Sequence, residues 1–270
     1  TKAKREAEEL RKELSKIAIE EANNVDRSAK AYKDLVARLS LANKGSLERK
    51  QIINQLNSQY GEYLDFLVDE NTSVKQLADS YGVVVERIKN MRKYKAYEKS
   101  LETIDSKFAD KISSATDKFS ETLKKGVIGR KEYLHGQGYT AKIFNAIIPT
   151  EKEINDLLGI IKTEVAKMDS ESLNSTEKQT ALIKDIVERY YGKGVIVRQS
   201  MMSKLTDSMT GVVDIYSKLI KEEKKAENIL NSQFGSGLPT AKARTEAERI
   251  KNTYAKERKD VESQISDEYK

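Results

Sequence analysis

Residues 74–125 read VKQLADSYGVVVERIKNMRKYKAYEKSLETIDSKFADKISSATDKFSETLKK, and this stretch decides the fold. Its apolar residues fall at Leu77, Tyr81, Val84/Val85, Ile88 and Met91, then at Leu101, Ile104, Phe108, Ile112, Ala115, Phe119 and Leu123. Those spacings follow the period of an α-helix, and no Pro interrupts them. A helix of that length spans roughly 75 Å at 1.5 Å per residue, too long to curl around a small core. The gap at Lys93–Lys99 marks a bend or a separate connection. Ahead of the run, Asn71-Thr72-Ser73 is a start signal, with Ser73 and Gln76 spaced as a capping box.

Upstream, Leu10, Leu14 and Ile17 form a short heptad seam among Lys, Arg and Glu, resumed at Val25, Tyr32, Leu35 and Leu39. The pattern stops at Asn43-Lys44-Gly45, where Gly suits the left-handed residue after a helix and Ser46 can cap the next one. Ile52, Ile53, Leu56, Tyr60 and Leu64 then line one face, so residues 25–67 read as a helical hairpin.

Downstream, Gly126, Gly129, Gly136 and Gly138 make residues 126–138 a glycine-rich hinge. A short amphipathic piece, Tyr139–Ile148, runs to Pro149, and Thr150 with Glu153 forms a second capping box. Helical spacing returns at Ile154, Leu157, Leu158, Ile161 and Val165, and again around Ile183, Ile186 and Val187. After Gly192 and Gly194 a second long helix is expected from about Val195 to Leu230. Val195-Ile196-Val197 is the single β candidate, and it is short. The expected fold is all-α: long amphipathic helices, helical hairpins and coiled-coil-like segments, with no sheet. It divides as 1–125, the hinge 126–138, 139–233, a linker 234–239, and a charged helix 240–270 that continues in a longer parent chain.

Composition agrees with extended helices. The 270 residues are 34% charged and 38% hydrophobic, with five Phe, two Pro and no Trp. A single round core calls for more large apolar side chains, whereas a narrow apolar stripe suffices for long helices. Helical spacing and a net charge of only +6 argue against disorder. The absence of Cys excludes a disulfide framework and a thiolate metal site. No stretch approaches the roughly 18 apolar residues of a membrane span. The charged opening Thr1-Lys2-Ala3-Lys4-Arg5 is not a signal peptide.

Chemistry-bearing patterns are few. One His, His135, excludes His-based triads and paired-His metal sites. Gly136-Gln137-Gly138-Tyr139-Thr140-Ala141 matches G-x-G-x-x-A, but a dinucleotide site needs that turn between a parallel strand and a helix. Gly192-Lys193-Gly194 lacks the rest of a P-loop. Carboxylates such as Glu20/Glu21 and Glu222/Glu223 lie among Lys and Arg, as on a solvated helix face, so no catalytic, metal-binding or cofactor-binding residue is assigned. Met201, Met202 and Met209 read as seam filling. Between Glu86 and Lys131, 13 Lys/Arg stand against 7 Asp/Glu, an excess equal to the whole net charge. Its densest part, Arg87, Lys89, Arg92, Lys93, Lys95 and Lys99 with Tyr94 and Tyr97 between, is either a solvated face or a weak polyanion-contact stripe.

Residues 43–64, NKGSLERKQIINQLNSQYGEYL, followed by Leu67, Glu70, Ser73 and Leu77-Ala78, resemble the repeating helical segments of tail tape-measure proteins from tailed bacteriophages and prophages. The resemblance covers about residues 30–100. It implies a long α-helical virion protein that sets tail length and occupies the tail tube until genome ejection. It also implies location in the tail lumen, and in the host cytoplasm during assembly. Its implied partners are the tube, the tip or baseplate and assembly chaperones, with self-association through helical seams. The resemblance supplies no catalytic residue and no cofactor. Two other readings stay open: a non-viral coiled-coil scaffold or adhesion segment, and a weak nucleic-acid-binding helical module built on Arg87–Lys99.

Overall fold

A computed structural model describes residues 2–136, 138–169, 172 and 175–236. The described residues include the helices α1 (Lys2–Leu41), α2 (Leu47–Tyr60), α3 (Val74–Asp79), α4 (Tyr81–Lys124), α5 (Glu151–Lys167), α6 (Thr176–Tyr191) and α7 (Met202–Phe234). The three strands are β1 (Ile128–Gly136), β2 (Tyr139–Ile147) and β3 (Val195–Val197). Helix accounts for 76% of the described residues. The expected final helix 240–270 and residues 237–239 of the linker lie outside them.

The long helices follow the apolar spacing. Helix α1 has 40 residues and α4 has 44, which correspond to about 60 and 66 Å of axis. The basic gap at Lys93–Lys99 does not interrupt α4. Caps fall where short polar side chains precede apolar runs. The hydroxyls of Ser46, Ser73 and Ser175 accept from the third backbone N–H beyond them. At Thr150 the capping box is complete: its N–H donates to Glu153 Oε2 at 2.7 Å, and Glu153 N–H donates to the Thr150 hydroxyl at 3.3 Å.

The chain forms two compact units, with boundaries inside α4 and α7 rather than at the glycine-rich stretch. One comprises residues 1–103 and 225–270; its core joins Tyr32 and Leu39 of α1, Leu56 of α2, Leu77 of α3, Ile88 of α4 and Phe234 of α7. The other comprises 104–224; Ile104, Leu123, Leu157, Ile186, Met209 and Leu219 are among its buried residues.

The expectation of a fold without sheet is wrong. Within the second unit β2, β1 and β3 lie side by side in that order, all antiparallel. Residues 126–138, read as a hinge, hold β1, and the amphipathic piece Tyr139–Ile148 is β2. The expected long helix from Val195 begins with β3, a short 3₁₀ turn at Gln199–Met201, and only then α7. Two residues join β1 to β2, and the second, Gly138, has φ +85°, the positive backbone angle of tight hairpin turns. Ile128 pairs with Ile147 and Gly136 with Tyr139, while β3 covers β1 only from Ile128 to Arg130. Burial explains why alternation failed to announce these strands. Beyond Ile128 and Gly129 every residue of β1 is exposed, so no buried face imposes an apolar period of two.

Candidate functional site

The six residues of the basic stripe go to different environments. Glu21 of α1 is only 2% exposed, and Arg92 and Lys99 reach it at 3.2 and 2.5 Å. Burial works against its charge, but hydrogen bonds from Lys99, Asn24 and Arg92 outweigh that and hold the carboxyl below its usual range. The sequence had placed Glu21 on a solvated face; its neighbour Glu20 is exposed, as expected. Arg87 pairs with Asp65 at 2.8 Å and donates to the Tyr63 carbonyl at 2.9 Å. Lys93 is 3% exposed and donates to the Gly235 carbonyl just beyond α7, where a cation complements a helix C-terminus. Burial pulls its ammonium below the usual range, with Lys89 adding and Glu227 opposing. Lys89 is half-buried and Lys95 exposed. The structure thus brings Arg92 and Lys99 together on one carboxylate and directs Arg87 and Lys93 to partners within the fold.

Several polar residues of the stretch that carries the family resemblance have structural tasks. Ser46 caps α2, and the Arg49 guanidinium donates to the Leu39 carbonyl near the end of α1 at 3.0 Å. The same guanidinium pairs with Glu70 at 3.0 Å. Asn57 is held in both directions by Val68: its amide donates to the Val68 carbonyl at 2.8 Å and accepts from the Val68 N–H at 2.9 Å. Tyr60 donates to the Ser28 carbonyl at 2.8 Å, and Tyr32 to that of Leu77 at 2.9 Å. Burial, with Tyr60 close by, pushes the Tyr32 hydroxyl up to about 12, so it stays a donor. Gly61 leaves space that no side chain can fill, since a Cβ there would fall 2.4 Å from the Asn57 carbonyl oxygen.

The surface that the sequence reading missed is the β1–β2 hairpin. Opposed residues share a face, which places Lys131, Tyr133, His135, Thr140, Lys142 and Phe144 together, joined by Arg198 just past β3. Contacts across this face agree: Lys142 lies over the Tyr133 ring, Thr140 meets His135 at 3.4 Å, and Arg198 sits 4.6 Å from the Phe144 centroid. Glu132 is on the opposite face, where Asn145 donates to it. Tyr133 and Leu134 are each 56% exposed, on opposite faces. The available signal was the alternation Lys131-x-Tyr133-x-His135 and Thr140-x-Lys142-x-Phe144, legible only to a reader already expecting strands.

The rejected motifs also find their places. Gly136 closes β1 and Tyr139 opens β2, so the G-x-G-x-x-A stretch leads into an antiparallel strand and not a helix. Gly192, at φ +91°, ends α6, and Gly194 precedes β3. Among the described residues no cluster of three or more His, Asp or Glu could hold a metal ion, and no helix is long and apolar enough to cross a membrane. Glu223 is pushed up by burial while Lys162 approaches it at 3.8 Å. Comparison with known protein families, curated proteins and solved structures finds no match to this chain.

Proposed function

We propose that the chain is a structural, non-catalytic segment of a phage tail tape-measure protein, contributing to tail length and lying in the tail tube until genome ejection. The observation that carries this reading is the use of the family-like residues. Ser46, Arg49, Asn57, Tyr60 and Gly61 all serve to connect and fasten helices. A pattern of that kind specifies a helical unit that can recur along a chain, not a reaction centre. Uninterrupted helices of 40 and 44 residues supply extent, the property a ruler requires. Its partners on this reading are the tube, the tip or baseplate and assembly chaperones.

Helix α2 returns along α1 after a short turn, so not every residue adds 1.5 Å of length. Length is then a property of the whole folded segment. The test is an in-frame duplication of residues 1–270 in the parent gene, read by electron microscopy of the particles. Tails lengthened by a constant number of tube rings support the reading; tails of unchanged length overturn it.

A further inference from the structure

We propose that the open face of the β1–β2 hairpin binds single-stranded nucleic acid, with Tyr133 stacking on a base and Lys131, Lys142 and Arg198 meeting the phosphates. This is a separate site from the α4 stripe, and it does not depend on the ruler reading.

Three observations converge on it. Every charged side chain on this face is basic: Lys131, Lys142 and Arg198 stand there, while the hairpin's carboxylate, Glu132, is turned to the other side. The face is also uncovered, since Lys131, Tyr133, His135, Thr140, Lys142 and Arg198 are all exposed. Finally, it presents an aromatic ring to solvent between cations, the combination that single strands use: bases stack on rings and phosphates pair with Lys and Arg. From Lys131 to His135 the strand extends about 13 Å at 3.3 Å per residue. A duplex, whose bases are already stacked on one another, gains nothing from Tyr133.

The arrangement of Arg198 is built into the strands. Gly129 has no Cβ, and one placed there would fall 2.5 Å from Phe144 Cζ, so the glycine admits the Phe144 ring against the sheet. Arg198 lies over that ring at 4.6 Å. A guanidinium over a ring offers a stacking surface to a base as well as its charge to a phosphate. The opposite face carries the exposed Arg130, Glu132, Leu134 and Asn145, with charges of both signs, so only the Tyr133 side is uniformly basic.

Fluorescence anisotropy of a labelled oligothymidylate, titrated with the whole 270-residue chain, tests the proposal. Three phosphate contacts should make affinity fall roughly 20-fold between about 50 and 200 mM salt. Tyr133→Leu, which retains strand propensity, should weaken binding about 10-fold without changing the salt dependence. Lys131→Gln combined with Lys142→Gln should flatten the salt dependence by about two thirds. Lys89→Gln combined with Lys95→Gln, on α4, should leave binding unchanged. Circular dichroism of each variant guards against misfolding. The proposal is overturned if the unaltered chain fails to bind the probe at low salt. It is equally overturned if binding survives the hairpin substitutions but is lost with Lys89 and Lys95, or if a duplex competes as well as the single strand.

Discussion

The stretch 43–77 and the hairpin 128–147 are comparable in polarity, and both interrupt long helices with glycines, yet they handle their polar groups in opposite ways. In the first, side chains turn inward to answer backbone groups: Asn57 holds Val68, Arg49 holds the end of α1, and Tyr60 holds Ser28. In the second, the strands satisfy one another through the backbone, and their side chains beyond the base face outward. Polar composition therefore does not mark a surface. What marks one is whether the polar groups are turned into the fold or stay exposed. The first stretch is a fastening, whereas the hairpin's polar groups meet one another at an exposed face.

Substitutions of matched chemistry in the two regions would break or sharpen this contrast. The largest effect is expected from Leu56→Ala, which empties a fully buried position in the first unit and should cost about 2–5 kcal/mol in urea unfolding. Asn57→Ala strands the N–H and carbonyl of Val68, itself buried, and should cost about 2–3 kcal/mol by the same measurement. Glu21→Gln removes the carboxylate shared by Arg92 and Lys99; the Lys99 side chain is half exposed, which limits the loss to about 1–2 kcal/mol. That loss should depend on pH in a definite sense. The folded-state carboxyl lies below its usual value of 4.5, so its contribution is present above that pH and disappears as pH falls through the lower folded value. The gap in stability between the two proteins should therefore be full near neutrality and close in acid. The smallest effect is expected from Leu134→Ala, a residue 56% exposed, which should change stability by no more than about 0.5 kcal/mol.

The same contrast explains what could be read from the sequence. Helix α4 was legible because it buries one stripe along much of its length, and Ser46 and Thr150 because their caps act within a few residues. Glu21 was misplaced because local sequence does not distinguish it from Glu20; only the approach of Arg92 and Lys99, more than 70 positions later, makes it a buried partner. The roles of Asn57 and Tyr60 depend on the backbone of Val68 and Ser28, and no local rule supplies those partners. The hairpin was missed for a different reason. A strand exposed on both faces carries no hydrophobic alternation, and its glycines at 129, 136 and 138 resemble a hinge. The candidate surface was lost with it, because Lys131, Tyr133, Lys142 and Arg198 share a face only once β1 pairs with β2 and β3.

Hydrogen–deuterium exchange resolved along the chain tests the contrast most directly. Amides of Ile53 to Tyr60 in α2, together with that of Val68, should exchange slowly, because opening them exposes the buried core around Leu56. Amides of residues 131–136 and 140–144 should exchange far faster, since two strands without a third or a covering layer open at little cost. Protection of the hairpin as deep as that of α2 in the isolated chain would contradict the account, because its side chains would then be covered rather than open to a ligand.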